Sequence, residues 1–383
     1  MLTSVRPADV IFEINLSAIQ PNFHTISALV GPQVRVAAVV KCDAYGLGLL
    51  RVAGALIDAG CDLLFVGNLH EALLLRSSHT GAAVAVLCDE FARYGGDYRS
   101  NGLIPVVNNC FELDAIGTAG DPQAYFLSIE TRLSRLSLAF DDLRRKYLSG
   151  SFKQHPPSVV LSHLACSERV GDAMNMLQRN RFLAMSDVLK PTLRSLAASA
   201  GFWLGTPYHF DIARVGSALY GLNNAGIRPN PLKPVASRRA KTLDVRKVAR
   251  RKAVGYGGTF RTAQASRIAS VGIGYKHGLP WGRANKVSVR LAGYSAPLIG
   301  RMSMEYTTID ITDVPEALCG PGSCVELLGE DLTVDDLAAA SGIYPQEVLT
   351  RLGVGCARQM RVLATIRAPS LAGAKRPDCR VSR

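Results

Sequence analysis

The sequence predicts an α/β fold, an N-terminal (β/α)8 TIM-like barrel followed by a mainly β C-terminal domain. Three observations carry that prediction. Eight short apolar runs alternate with helical stretches over the first two thirds of the chain. The runs are continuously apolar, as strands buried on both faces are. After Gly221 the texture changes to short alternating strands separated by Gly and Pro.

The eight runs lie at 34–42, 61–68, 83–88, 103–109, 124–130, 158–165, 193–199 and 210–216, with helical patterns such as 50–59, 70–77 and 173–189 between them. Eight β/α units suit a closed barrel better than a doubly wound open sheet, the alternative topology. Residues 223–234, rich in Asn, Pro and Gly, read as a linker. Alternating strands are expected at 236–248, 267–273, 287–292, 305–311 and 323–328, with a helix at 333–340. Thr333 is its expected N-cap, and Asp335 and Asp336 sit near its positive end. These patterns set the expected domains at 10–228 and 229–367, the second joined by a strand at 10–15. A basic tail at 368–383 is expected to be disordered.

The 383 residues are 48% hydrophobic and 20% charged, enough apolar content for a sizeable core and too little charge for long disorder. The net charge is +13, yet Lys and Arg are scattered except for nine cations between residues 233 and 252. Val235, Leu243, Val245 and Val248 interleave that run, so it reads as a solvated strand face, with no nucleic-acid motif beside it. Nine cysteines, an odd number without a CxxC pair, argue against a disulfide framework or a zinc site and for a reducing compartment. Residues 1–9 lack an apolar signal core, and no apolar run reaches bilayer length. A soluble, cytoplasmic protein without a metal is the expectation.

The segment Val39-Val40-Lys41-Cys42-Asp43-Ala44-Tyr45-Gly46-Leu47-Gly48 places a lysine at the C-terminal end of the first barrel strand. Barrel active sites form at that end. A partly desolvated amine there gives up its proton readily and can condense with a carbonyl. Glycines beyond it let the backbone approach a ligand. By position alone, a surface lysine at a strand end is the competing reading.

Five blocks in colinear order, from Phe12 to about Arg361, resemble the alanine racemases, pyridoxal 5'-phosphate (PLP) enzymes of fold type III. The resemblance implies that Lys41 carries PLP and acts as one of two bases, and that Tyr45 contacts the phosphate. Arg135, in Ile129-Glu130-Thr131-Arg132-Leu133-Ser134-Arg135-Leu136, matches an arginine that touches the cofactor's phenolic oxygen and the substrate carboxylate. Ser128 stands where many members have a carbamylated lysine bracing that arginine. His163, in Leu161-Ser162-His163, matches a histidine linking the catalytic tyrosine to the arginine on the pyridine nitrogen, here Arg214. Ser199 with the backbone amides of Gly216 and Ser217 matches a phosphate cradle.

In the β domain, Val271-Gly272-Ile273-Gly274-Tyr275 resembles the segment bearing the second base, Tyr275. Inversion needs two groups on opposite faces of the α-carbon. The family continues with an acidic residue and Gly; here Lys276-His277-Gly278 follows. The backbone N–H of Met304 matches a carboxylate-binding group, with Glu305 where Asp is usual. Gln346 stands at the place of a phosphate-binding tyrosine. The resemblance further implies a homodimer with shared sites, in which the positions of Tyr275, Met304 and Gln346 reach into the barrel of the other subunit. The implied activity is interconversion of L- and D-alanine, which supplies peptidoglycan precursors. A racemase of other or broader amino-acid range, or a PLP-binding paralogue without turnover, remain the alternatives.

Overall fold

The computed structural model describes residues 10–78, 81–88, 91–118, 124–189, 193–279, 287–353 and 357–361. The tail at 368–383 lies outside them. Eight parallel strands form the first sheet: β2 (Arg35–Val39), β3 (Leu63–Val66), β4 (Ala83–Val86), β5 (Leu103–Val107), β6 (Phe126–Ser128), β7 (Val159–Leu161), β8 (Leu193–Ser195) and β9 (Ile212–Val215). Strand β2 pairs with both β3 and β9. The circle closes where Asp211 N–H donates to Arg194 O and Arg214 N–H donates to Ala197 O. Every predicted run supplies one strand, so the barrel stands and the open sheet does not.

Alternate residues of these strands serve two apolar layers. Ala37, Leu63, Phe65, Ala85, Val106, Phe126, Val159, Leu161 and Ile212 fill the barrel interior. Their neighbours, such as Val36, Ala38, Leu64 and Val66, pack under the helices. Both faces are therefore dry, which is why the runs are continuously apolar. The predicted helices form at Leu49–Asp58, Leu69–Ser77 and Ala173–Leu189.

The remaining strands are β1 (Val10–Asn15), β10 (Ala236–Val248), β11 (Ala253–Val254), β12 (Phe260–Arg261), β13 (Ser266–Val271), β14 (Ser288–Leu291), β15 (Tyr294–Ile299), β16 (Thr307–Asp310), β17 (Cys324–Leu328) and β18 (Ala357–Arg361). Strand β10 pairs with β17 over its first half and with β13 over its second, so the order β13-β16-β15-β14-β17-β10 closes on itself. Strand β1 adds to the edge of β10 and carries β18 beside it. The strand β15 was not predicted. It follows β14 through Ala292 and Gly293, both at positive φ, the geometry of a tight hairpin turn. The Val334–Ser341 helix has the predicted cap, with Thr333 and Asp336 in a reciprocal capping box. Asp335 accepts the N–H of Asn223, tying this helix to the loop that follows the barrel.

Candidate active site

The C-terminal ends of the barrel strands surround a cavity of about 1160 Å³. Its walls include Lys41 and Tyr45 after β2, His163 after β7, Ser199 after β8, Arg214 on β9, and Gly216 and Ser217 beyond it. Arg135 enters from the loop after β6, and Gln346 from the helix Pro345–Leu352. Nine residues singled out from the sequence thus share one cavity. Tyr275 and Met304 do not line it; both stand exposed on the β domain of the same chain.

One expectation is corrected. Gln346 was to reach the barrel of another subunit, yet it lines the cavity of its own chain. The cause is local. Gly46 lies against the backbone of Thr350 and Gly353 against that of Gly46, which seats the Pro345–Leu352 helix on the barrel mouth. Gln346 Oε1 is buried there without a hydrogen-bond partner.

Lys41 opens an unusual turn. Cys42, Asp43, Ala44 and Tyr45 have φ values of 56°, 55°, 52° and 57°. None is glycine, so this left-handed stretch is strained by roughly 1–2 kcal/mol per residue. It turns Lys41 and Tyr45 toward the same cavity. Backbone bonds hold it, from Ala44 N–H to Val40 O and from Gly46 N–H to Cys42 O, both at 2.9 Å. The Asp43 carboxylate accepts Leu49 N–H at 2.7 Å and pairs with Arg358.

The Tyr45 ring packs 5.2 Å from that of Tyr220. Burial, with a smaller contribution from the Cys42 thiol, pushes its phenol above the usual range, so it stays a hydrogen-bond donor. A methyl group on Gly216 would lie inside van der Waals contact of Tyr45 Oη and 3.0 Å from Cζ. Glycine is therefore required where the phenol tip meets the backbone. Ser199 Oγ accepts the N–H groups of Gly216 at 2.9 Å and Ala218 at 3.3 Å. Ser217 turns its hydroxyl to Asn224 Oδ1.

Arg214 is buried and forms no ion pair among the described residues. It donates to Ser195 O at 2.9 Å, Ser195 Oγ at 2.6 Å and Ser162 O at 2.5 Å. Burial, and then the charge of Arg135, lowers its pKa to about 10, which leaves it charged near neutrality. His163 is driven to about 3 by burial and by the charges of Arg214, Arg135 and Lys41, so the ring is neutral. The barrel beneath is polar but neutral: Ser162 bonds Thr131 and Ile129 O, and Gln178 bonds Thr131 and His163 O.

Arg135 likewise has no carboxylate partner among the described residues. Its loop is braced through the backbone. The Glu130 carboxylate accepts the N–H groups of Arg132, Leu133 and Ser134 and the hydroxyl of Ser137. Burial raises the Glu130 pKa, but these donors outweigh it and hold the group below the ordinary range. Ser128 Oγ tethers the same loop by donating to Leu136 O at 3.3 Å. This role of Glu130 is not legible in the residue order, because an amide nest depends on the positive φ of Arg132 and Ser134.

Tyr275 and Met304 are joined on the β domain. Tyr275 N–H donates to Ser303 O and Lys276 N–H to Met304 O, both at 3.1 Å. A methyl group at Gly274 would strike Ser303 O and Met304 O, so the two segments can approach only at a glycine.

The fold and this cavity define a class: a barrel enzyme with a strand-end lysine beside two arginines that have no carboxylate partner among the described residues. Residues 14–224 match the alanine racemase N-terminal domain and residues 235–360 the C-terminal domain. The chain belongs to the alanine racemase family. It is 80% identical over 359 residues to alanine racemase 3 of Mesorhizobium japonicum, covering 94% of this chain and 92% of that protein. It is 64% identical to the biosynthetic alanine racemase of the same organism, covering 94% and 90%. A crystal structure of alanine racemase from Bartonella henselae with covalently bound pyridoxal phosphate matches at a TM-score of 0.87 and 31% identity, covering 93% of this chain and 100% of that one. No helix among the described residues is long and apolar enough to cross a membrane.

Proposed function

We propose that the chain interconverts L-alanine and D-alanine, with PLP on Lys41 and with Lys41 and Tyr275 as bases on opposite faces of the α-carbon. The observation that carries this reading is a cluster of three cations in the cavity wall. Lys41, Arg135 and Arg214 converge around a neutral His163, and neither arginine has a carboxylate partner among the described residues. Such a site fits a ligand that brings its own negative charge. A phosphate and a phenolic oxygen do so, and the Tyr45–Gly216 contact suits the phosphate end. When bound, PLP supplies the electron-withdrawing ring that acidifies the α-proton.

The chain's own groups divide the remaining work. Tyr45, Ser199, Gly216, Ser217 and Gln346 would hold the phosphate. Arg214 would face the pyridine nitrogen; a guanidinium keeps its proton and so leaves that nitrogen unprotonated. Arg135 and the Met304 N–H would orient the substrate carboxylate. In one direction Tyr275 removes the α-proton and the protonated Lys41 amine returns one to the other face; the reverse direction exchanges the roles.

Tyr275 and Met304 lie away from their own cavity and exposed, which supports the reading that they serve a second copy in a homodimer with two shared sites. On this reading residues 10–228, apart from the strand at 10–15 that joins the other sheet, are the PLP-binding barrel and 229–367 the β domain that completes its partner. The seven described cysteines are free thiols, which supports a cytoplasmic setting.

Deuterium exchange at the α-carbon, followed over a panel of L-amino acids, tests the function. The expected result is exchange and inversion with alanine and loss of both in Lys41→Ala. A wild-type protein that takes up cofactor yet inverts no amino acid overturns the proposal.

A further inference from the structure

Glu71 is a buried carboxylate. It is 9% exposed and forms no ion pair among the described residues. Its two oxygens are both engaged by backbone. Oε1 accepts Asp43 N–H at 2.9 Å, and Oε2 accepts Gly67 N–H at 2.8 Å. Asp43 lies in the strained turn that begins at Lys41, whereas Gly67 follows the neighbouring strand β3. One side chain therefore spans two barrel strand ends at the point where the lysine leaves the sheet.

Burying a carboxylate is costly unless strong donors satisfy it. The needs of its own helix do not explain it, because Asn68 already caps the Leu69–Ser77 helix by accepting Glu71 N–H at 3.0 Å. The carboxylate reaches past that cap toward the lysine. A methyl group on Gly67 would lie 3.4 Å from Lys41 Cβ and 3.2 Å from Glu71 Oε2, so clamp and lysine stem share one tight space. The donors it holds belong to the segment that most needs holding: Asp43 is the second of four consecutive non-glycine residues at positive φ.

We infer that Glu71 is a positioning residue. It pins the left-handed turn so that Lys41 is aimed into the cavity before any cofactor arrives. This rests on the assignment of Lys41 as the cofactor lysine. The test uses the full chain stripped of cofactor, comparing wild type with Glu71→Gln and Asn68→Ala. Glu71→Gln keeps size and one acceptor but turns an NH2 group toward a backbone donor. Asn68→Ala loosens the same helix end and leaves both clamp bonds in place.

Glu71→Gln is expected to speed amide hydrogen exchange at Asp43 and Gly67 by roughly tenfold or more, the loss of one charge-assisted hydrogen bond. It is also expected to slow the appearance of the borohydride-sensitive chromophore on added PLP by roughly tenfold, with a melting temperature no lower than that of Asn68→Ala. Wild-type exchange and capture rates in Glu71→Gln overturn the inference. So does an equal capture defect in Asn68→Ala, which would assign Glu71 to helix stability alone. Should wild-type Lys41 take up no cofactor, the site assignment fails separately, and exchange at Asp43 and Gly67 decides the clamp.

Discussion

Lys276 and Glu305 form an ion pair that links the segment bearing Tyr275 to the segment bearing Met304. Both residues are among the departures that the sequence resemblance marks. Together they are one substitution: a cation added on one loop meets an acid one carbon longer on the other. The hydrogen bond and charge of Lys276 hold the Glu305 carboxyl below its ordinary range. Its contribution is complete above the unfolded value of 4.5 and is lost as pH falls through the lower folded value.

Because both side chains are about half exposed, the pair acts on loop registration more than on stability. Lys276→Glu and Glu305→Lys each place like charges together and are expected to lower kcat/KM for alanine by roughly three- to tenfold. The double reversal is expected to recover most of that loss. Single effects that merely multiply in the double variant would show that the pair does not couple the loops.

The barrel and its lysine were legible because they rest on local pattern. Strands dry on both faces must be apolar throughout, and a lysine ending such a run is conspicuous. Strands β6, β7 and β8 are three residues each, shorter than their runs, because the apolar residues continue as irregular backbone into the cavity wall. The left-handed turn was illegible for the opposite reason. Cys42, Asp43, Ala44 and Tyr45 carry no glycine to announce positive φ, and one bond to the turn, from Asp43 N–H, goes to Glu71, a distant residue that reads as an ordinary helix position. The placement of Gln346 depended on how a helix docks between domains, which spacing along the chain does not encode.

The contact between Tyr45 and Gly216 is expected to make cofactor retention sensitive to one methyl group. Gly216→Ala forces the phenol aside, since the side chain that must move is a rigid ring packed on Tyr220. The expected outcome is cofactor binding weaker by roughly ten- to a hundredfold, the loss of one or two hydrogen bonds to a charged group, together with a lowered melting temperature. Adding Tyr45→Phe removes the clashing oxygen and is expected to restore the melting temperature without restoring affinity. Spectrophotometric cofactor titration and thermal melts separate the two effects.

His163 makes the cofactor-free chain sensitive to acid. Its folded value of about 3 lies below the ordinary 6.5, so the unfolded chain binds a proton in that window and the folded chain does not. The contribution of His163 is complete above 6.5, declines as pH falls and is exhausted near 3. One proton sets a limit of about 1.4 kcal/mol per pH unit, and the ring's opening onto the cavity trims the slope below it. Urea denaturation between pH 7 and 4 is expected to show a shallower decline in His163→Gln than in wild type. Equal slopes would mean that His163 is protonated in the folded chain.

Substitution at Gly274 is expected to separate cofactor binding from turnover. It lies on the β domain, outside the cavity, and its missing side chain lets Tyr275 N–H reach Ser303 O and Lys276 N–H reach Met304 O. Gly274→Ala places a methyl 2.5 Å from Met304 O and still closer to Ser303 O. Backbone oxygens cannot rotate away as a side chain would, so the two segments must part. On the proposed assignment, the base and the carboxylate-binding amide would then be displaced together while the lysine, the phosphate-binding groups and both arginines stay in place. The variant is expected to bind PLP with wild-type affinity and to lose alanine racemisation by roughly a hundredfold or more, the range for removing a positioned acid–base group. Gly216→Ala should show the reverse order of defects, with cofactor lost first. Weakened PLP binding in Gly274→Ala at an unchanged melting temperature would place the β-domain segments in the cofactor site itself and defeat this division of labour.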